Sequence, residues 1–256
     1  MRRLLAIFAH PDDESLACGG TLARCADAGV EVTLVCATRG EAGSIDPSCG
    51  IRREDLGEAR AAELRAAAGV LGISEVVQLA YPDGMLEWAD AARLEADLHA
   101  VFERVAPDTV ITFGADGLYW HPDHIAISCR TAAVVRARAH VRPVTLYEVT
   151  MPPGAMRDLV AAVQRRPGGT VRAPWGLAVE AFGKGALPPA VAVDVSSVID
   201  RKCAALACHR SQLAAENPLA RLDHDLALAH LAVEHFHVAP GSPLASGWLD
   251  TLMSRG

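Results

Sequence analysis

The chain has 256 residues, of which 51% are apolar and 21% charged, a composition typical of a globular protein large enough for a single core. Twenty-four Lys and Arg against 31 Asp and Glu give a net charge of −7, and aromatic residues make up only 5%. This balance argues against nucleic acid or an anionic membrane surface as the main partner and favours a small molecule. Whether the protein forms a homo-oligomer is left open by the sequence.

Two further features bear on where the protein works. No run reaches the ~18 apolar residues of a membrane span, so we expect no membrane insertion. The seven cysteines are an odd number and contain no Cys-x-x-Cys pair, a usage typical of reduced thiols. We therefore expect a cytoplasmic protein.

In the first half of the chain, short apolar runs alternate with Ala-rich stretches, which predicts a parallel sheet covered by helices on both faces. The predicted strands are 4–8, 32–37, 75–79 and 109–113. The predicted helices between them are 15–28, 53–71 and 89–105. A fourth helix is predicted from near Pro122 to about Arg138, because Pro is favoured in the first helical turn.

The second half of the chain has a different pattern. Residues 151–189 are rich in Pro and Gly and are predicted to form loops with short strands, facing the substrate as a lid. A strand at 190–195 and helices at 197–215 and 221–235 complete the prediction. The expected fold is one α/β domain over 1–256: a Rossmann-like three-layer sandwich with a mostly parallel sheet (1–150), a loop and strand segment (151–195) and a smaller C-terminal portion with helices (196–256).

Polar clusters follow two of the predicted strands, where open α/β sheets place their sites. One comes directly after the first strand and the other follows the fourth, and together they contain three imidazoles and several carboxylates, an inventory typical of a metal site. The clusters are His10-Pro11-Asp12-Asp13-Glu14 and Tyr119-Trp120-His121-Pro122-Asp123-His124.

The spacing within these clusters supports convergence on one ion. His10 and Asp13 are three apart across a strand-to-helix turn, and His121 and His124 are three apart at a helix start, where the dipole disfavours imidazolium. A metal binds neutral imidazole. One histidine at a strand end is often structural, but two His-Pro-Asp clusters together favour metal binding. His-rich helix ends are usually polar surface, so we expect no second metal site at His230, Glu234 and His237.

These motifs resemble those of the LmbE/PIG-L family of zinc-dependent N-deacetylases, which act on N-acetylglucosamine conjugates. The similarity covers most of the first 150 residues, and a weaker one appears in a later helix at Lys202, His209, Ser211 and Gln212. The early motifs are Ala9-His10-Pro11-Asp12-Asp13-Glu14, Thr38-Arg39-Gly40-Glu41, Arg60-Ala61-Ala62-Glu63-Leu64, Tyr81-Pro82-Asp83-Gly84 and His121-Pro122-Asp123-His124.

The resemblance implies a metal held by His10, Asp13 and His124. Two imidazoles and one carboxylate suit Zn²⁺ with an exchangeable position, and Fe²⁺ or another divalent ion also fits such a set. By the same resemblance, Asp12 is the general base that takes a proton from water.

Five further residues receive roles by resemblance. His121 and Tyr119 are the candidates for stabilising the oxyanion or protonating the leaving amine, and Asp83 is expected to orient His121. Glu41 and Arg60 are expected to line the sugar pocket. Simpler alternatives stay open: a half-buried loop aromatic for Tyr119, a turn residue for Asp83, and a solvated ion pair for Glu41 and Arg60.

The leading hypothesis is therefore a metal-dependent amidohydrolase that removes the acetyl group from an N-acetylglucosamine-type amino-sugar conjugate. One alternative keeps the metal centre but cleaves a thiol-conjugated or non-sugar amide. Another is a metal- or nucleotide-binding module without turnover, which the absence of a Gly-x-Gly-x-x-Gly fingerprint disfavours. The aglycone is left open.

Overall fold

The computed structural model describes residues 2–139, 143–168, 171–172, 174–242 and 249. The strands are β1 (Arg3–Phe8), β2 (Glu31–Thr38), β3 (Glu75–Tyr81), β4 (Thr109–Phe113), β5 (Thr145–Thr150), β6 (Val191–Asp194) and β7 (Val233–Val238). The helices are α1 (Asp13–Asp27), α2 (Leu56–Leu71), α3 (Ala91–Val105), α4 (Gly117–Trp120), α5 (Pro122–Arg138), α6 (Ala155–Gln164), α7 (Ile199–Cys208) and α8 (His224–Leu231).

The strands form one mixed sheet in the order β3-β2-β1-β4-β5-β7-β6. The first five in this order are parallel, whereas β7 runs antiparallel to both β5 and β6. The central strand β1 pairs directly with β4, with Leu4 opposite Thr109 and Ala6 opposite Ile111. Both strands are buried along nearly their whole length, as expected for parallel strands covered on both faces.

The connections explain where the helices lie. From β1 the chain moves outward to β2 and β3 and then crosses to β4 on the other side of β1. Because such crossovers are right-handed, α1 and α2 cover one face of the sheet and α3 and α5 cover the other. The order therefore reverses between β1 and β4, the switch point at which ligands bind in open α/β sheets.

The core reaches up to this switch point. The rings of Phe8 and Phe113, at the carboxyl ends of β1 and β4, meet edge to face with centroids 4.9 Å apart. A second buried cluster lies under α6, α7 and α8 and includes Met156, Leu159 and Leu226. The predicted α/β class and its mostly parallel sheet are confirmed.

Two elements of the second half differ from the sequence prediction. Residues 155–164, predicted as loop, form α6, which buries Met156, Leu159, Val160 and Val163 at helical spacing. The neighbouring prolines and glycines concealed this apolar face. Strand β5, which extends the parallel sheet, was not predicted either, whereas the strand expected at 190–195 is present as β6.

The two C-terminal helices were predicted too long. The helix expected at 197–215 ends at Cys208, and the one expected at 221–235 ends at Leu231, so that 233–238 form β7 instead. The inward side chains of β7 are Glu234 and Phe236, an alternation typical of a strand. Of the predicted C-terminal portion (196–256), residues 243–248 and 250–256 lie outside the described residues. Within the described part of the chain, every helix is too short or too polar to span a membrane.

Candidate active site

The three predicted metal-binding side chains converge at the switch point. His10 follows β1, Asp13 opens α1, and His124 lies in the first turn of α5. His10 Nδ1 is 3.1 Å from His124 Nε2, which is 3.3 Å from Asp13 Oδ1, and Asp13 Oδ2 is 3.5 Å from His10 Nδ1. All three residues are buried. Ligands at about 2.0–2.2 Å in a tetrahedral zinc site lie about 3.3–3.6 Å from one another, so the spacing fits such an ion.

The hydrogen bonds behind the two imidazoles set which nitrogen faces the centre. His124 Nδ1 lies 3.0 Å from the carbonyl oxygen of Gly117, and His10 Nε2 lies 3.0 Å from a carboxylate oxygen of Asp83. Because both partners are acceptors, these nitrogens carry the protons in the neutral rings. The lone pairs of His10 Nδ1 and His124 Nε2 then point at one another beside the Asp13 carboxylate, an arrangement that a cation would stabilise.

The carboxylates around His10 favour a positive charge at the point where the three side chains converge. Burial by itself would lower the pKa of His10, but hydrogen bonds to Asp123, Asp13 and Asp83 raise it well above its usual value. Two other groups of possible ligand atoms share His10, one with His121 and His124 and one with Asp83 and Asp123. The described residues therefore contain a possible His/Asp metal site.

Asp12 lies beside this centre in an unusual backbone conformation. Its φ is 121°, which L-residues rarely adopt, and it precedes α1. One carboxylate oxygen accepts a hydrogen bond from Arg60 at 3.1 Å, and Arg60 also donates to the carbonyl oxygens of Pro11 and Gly40. Burial raises the pKa of Asp12 to about 6, against the opposing effect of Arg60. This carboxylate is more basic than usual, as suits a proton acceptor near neutral pH.

A buried pair holds the backbone of Asp12. The carboxylate of Glu14 accepts a hydrogen bond from the backbone N–H of Asp12 at 3.1 Å. Its other oxygen lies 2.8 Å from His209 Nε2, and both side chains are almost fully buried. His209 therefore lies behind the site and contacts Glu14, which the sequence motif did not reveal.

His121 is placed to act as a hydrogen-bond donor. Its Nδ1 accepts from the backbone N–H of Asp123 at 3.2 Å, capping α5, so Nε2 carries the proton of the neutral ring. Burial, together with the nearby His124 and His10, lowers the pKa of His121 to about 4, so the ring is neutral at pH 7. Tyr119 lies next to it, with ring centroids 6.0 Å apart.

The loop after β3 contacts a different imidazole from the expected one. Asp83 hydrogen-bonds His10, whereas the expectation was that it orients His121. The fully buried Asp123, to which sequence reasoning gave no role, accepts from the backbone N–H groups of Gly84 and Leu86 and lies 3.3 Å from His10 Nε2. Its position inside the second His-Pro-Asp motif was the available signal.

The two remaining predicted residues, Glu41 and Arg60, differ in whether they line the cavity. Glu41 accepts from the backbone N–H of Asp83 at 3.0 Å and so supports the loop, whereas Arg60 lines the cavity. That cavity has a volume of about 300 Å³, at the lower end of small-molecule sites of roughly 300–1,000 Å³. It is lined by His10, Asp12, Ala42, Gly43, Ser44, Arg60, Asp83, Gly84, Tyr119, His121, Trp175, Leu177 and Gln212.

The fold and site define an α/β protein with a possible metal centre at the floor of a small-molecule cavity. Residues 5–135 match the model of the family described as PIG-L, GlcNAc-PI de-N-acetylase, and the chain belongs to this family. It is 36% identical to the 1D-myo-inositol 2-acetamido-2-deoxy-alpha-D-glucopyranoside deacetylase of Nakamurella multipartita, over 96% of this chain and 92% of that protein.

Two further comparisons agree. The chain is 33% identical to the protein of the same name from Thermobifida fusca, over 94% of this chain and 93% of that one. The structure of N,N'-diacetylchitobiose deacetylase from Pyrococcus horikoshii superposes with a TM-score of 0.65 at 25% identity, covering 94% of this chain and 84% of that one. The resemblance found in the motifs is thus confirmed at the level of the family.

Proposed function

We propose that this protein is a zinc-dependent hydrolase that removes the acetyl group from an N-acetylglucosamine conjugate, releasing acetate and a free amine. The observation that carries the proposal is the convergence of His10 Nδ1, His124 Nε2 and the Asp13 carboxylate within 3.1–3.5 Å of one another, beside Asp12. The relatives named as deacetylases support the same reaction. Fe²⁺ also suits this ligand set.

The metal would be held by His10, Asp13 and His124. When bound, it supplies polarisation of the amide carbonyl and acidification of water. Asp12 accepts the proton from the attacking water, and Arg60, at 3.1 Å, keeps its carboxylate oriented. The same proton then passes to the leaving nitrogen, so that water is added across the amide bond.

The negative charge that develops on the carbonyl oxygen needs a donor. His121 fits this role because its Nδ1 is occupied by the backbone N–H of Asp123, which leaves the Nε2 proton free to point into the cavity. Tyr119 lines the same cavity and is the second candidate. Asp83 and Asp123 act through His10, whose Nε2–H they accept.

The surroundings support a small amino-sugar conjugate as the substrate. Ser44 and Gln212 bring hydrogen-bonding groups to the cavity, whereas Arg60 and Asp83 are engaged by protein partners. We also propose a cytoplasmic location, which the free state of all seven cysteines supports.

The test measures both the metal content and the turnover of the protein. The purified protein is analysed for bound metal and assayed for primary amine released from N-acetylglucosaminyl inositol and from N,N'-diacetylchitobiose. We expect Asp12→Asn to lose at least ~100-fold in kcat while keeping its metal, since general-base catalysis contributes about 10²–10⁴-fold. His124→Ala should lose both metal and turnover. Full activity of Asp12→Asn would refute the base assignment, and wild-type protein that releases no amine would refute the function.

A further inference from the structure

Tyr119 lies in a strained turn of the backbone. In α4 it is preceded by Leu118, with φ of 69° and ψ of −41°, and followed by Trp120, with φ of 66°. A positive φ is unfavourable for bulky L-residues. Such conformations persist where the surrounding structure enforces them, often at active sites. The turn therefore depends on contacts that keep it in this shape.

Some of these contacts come from the turn itself. Asp116 caps α4: its carboxylate accepts from the backbone N–H of Leu118 at 3.3 Å, and its carbonyl oxygen accepts from that of Trp120 at 2.8 Å. The side chain of Leu118 is 3% exposed and belongs to the main core. The carbonyl oxygen of Leu118, directly before Tyr119, is bonded from another part of the chain.

One short segment, residues 182–185, packs against the turn from outside. The backbone N–H of Gly183 donates to the carbonyl oxygen of Leu118 at 2.9 Å. The ring of Phe182 lies 4.9 Å from that of Tyr119, at an interplanar angle of 43°. Phe182 is 1% exposed and belongs to the second core cluster. The segment therefore ties both the residue before the tyrosine and the tyrosine ring to a buried part of the protein.

Two glycines allow the segment to approach so closely. Gly183 has a φ of 71°, and a Cβ there would clash with the carbonyl oxygen of Met151. A Cβ on Gly185 would clash with the ring of Trp120 and would lie 2.9 Å from Cβ of Asp116. Side chains at these two positions would therefore push the segment away from the turn.

The orientation of Tyr119 matters because its side chain lines the proposed active site. It lines the cavity together with His10 and Asp12, and its ring meets that of His124 edge to face, with centroids 5.0 Å apart. A phenol carries its proton at neutral pH, so it can donate to an oxygen on which negative charge develops. Such a donor is effective when it is held in place before the reaction begins.

We propose that Phe182 and Gly183 are positioning residues for Tyr119. Phe182 fixes the ring and Gly183 fixes the backbone just before it, so the phenol is kept in the orientation in which it stabilises the oxyanion. The inference rests on the proposed deacetylase function. It gives the segment between β5 and β6 an effect on the rate of the chemical step rather than on substrate binding.

The experiment is a double-mutant cycle, measured as kcat of the zinc-loaded protein on N-acetylglucosaminyl inositol. Phe182→Leu keeps an apolar side chain in the core but removes the ring, and Tyr119→Phe removes only the hydroxyl group. Tyr119→Phe should lower kcat at least about tenfold. Phe182→Leu should lower kcat about fivefold, the loss of one aromatic contact, with KM and metal content unchanged. In the Tyr119→Phe background it should lower kcat less than about twofold, because the hydroxyl group is already absent.

Gly183→Ala tests the backbone contact separately. The added Cβ would clash with Met151, so the hydrogen bond to Leu118 should be lost and kcat should fall at least about fivefold. Gly168→Ala is the matched control, because Gly168 has a φ of 70° but a Cβ there meets nothing within 4 Å. It introduces the same backbone strain without the clash and should leave kcat within about twofold.

Phe102→Leu is the control for lost packing, since Phe102 is fully buried in the main core, in α3. It should lower the free energy of unfolding but leave kcat within about twofold. The inference is overturned if Phe182→Leu lowers kcat equally with and without the Tyr119 hydroxyl group, or leaves kcat unchanged. It is also overturned if Tyr119→Phe is as active as the wild type, and deacetylation then stands with His121 as the donor. Wild-type protein inactive on every acetylated sugar would instead refute the proposed function.

Discussion

A buried ion pair stabilises the helix that carries Asp13. Helix α1 is interrupted at Cys18, whose φ of −153° is not helical, so the N–H groups of the following turn need other acceptors. Glu234 of β7 accepts from the backbone N–H of Gly20 at 2.9 Å and of Thr21 at 2.7 Å. Lys202 of α7 donates to the same carboxylate at 2.6 Å. We predict that breaking this pair destabilises the protein strongly.

The expected magnitude follows from burial. Both Lys202 and Glu234 have side chains that are 2% exposed, and removing one partner of such a pair leaves a buried charge uncompensated, at about 3–5 kcal/mol. Glu234→Gln and Lys202→Met should each lower the free energy of unfolding by about this amount. The double variant leaves no unpaired charge and should cost clearly less than the sum of the two.

The assay is equilibrium unfolding in urea, followed by circular dichroism, with every variant in the same metal-free buffer. Arg52→Ala is the control, because Arg52 pairs with Asp55 at 2.7 Å in solvent, with side chains 69% and 51% exposed. Such a pair contributes about 0–1 kcal/mol. The reasoning is refuted if Lys202→Met costs no more than Arg52→Ala, or if the two single changes are additive in the double variant.

Three other outcomes can be measured. Glu14→Gln should lower kcat about tenfold with KM and metal content unchanged, because it weakens the acceptor of the Asp12 backbone N–H; an unchanged kcat would contradict this positioning role. Gly20→Ala should lower the free energy of unfolding in urea by about 2 kcal/mol or more, because the added Cβ would lie 2.5 Å from Cβ of Val195. Gly69→Ala is the matched control: a Cβ there meets nothing within 4 Å, so this change should stabilise α2 by up to about 1 kcal/mol. Equal effects of the two alanines would argue against the clash. Chelator treatment should abolish turnover and lower the melting temperature, and added Zn²⁺ should restore both; full activity of protein shown by elemental analysis to be metal-free would contradict the metal centre.

The sequence by itself determined the parallel half of the fold and the position of the proposed metal centre. The strand before His10 and the fourth strand at Thr109–Phe113 are mostly apolar runs; one polar cluster follows the first strand directly, and the other begins six residues after the end of the fourth. Because parallel strands end at one edge of a sheet, short local patterns were enough to predict that these clusters meet. His10 and Asp13 are also close along the chain, so their convergence needed only one turn.

Only the tertiary structure decided what surrounds that centre. The contact of Glu14 with His209 spans 195 positions, and Glu234 reaches α1 from a strand whose spacing had suggested the polar end of a helix. Asp83 meets His10 because Asp123 holds its loop by two backbone N–H groups. These partners depend on how distant elements pack. Hydrophobic periodicity indicates which face of an element is buried, but it does not indicate which residue of another element lies opposite that face.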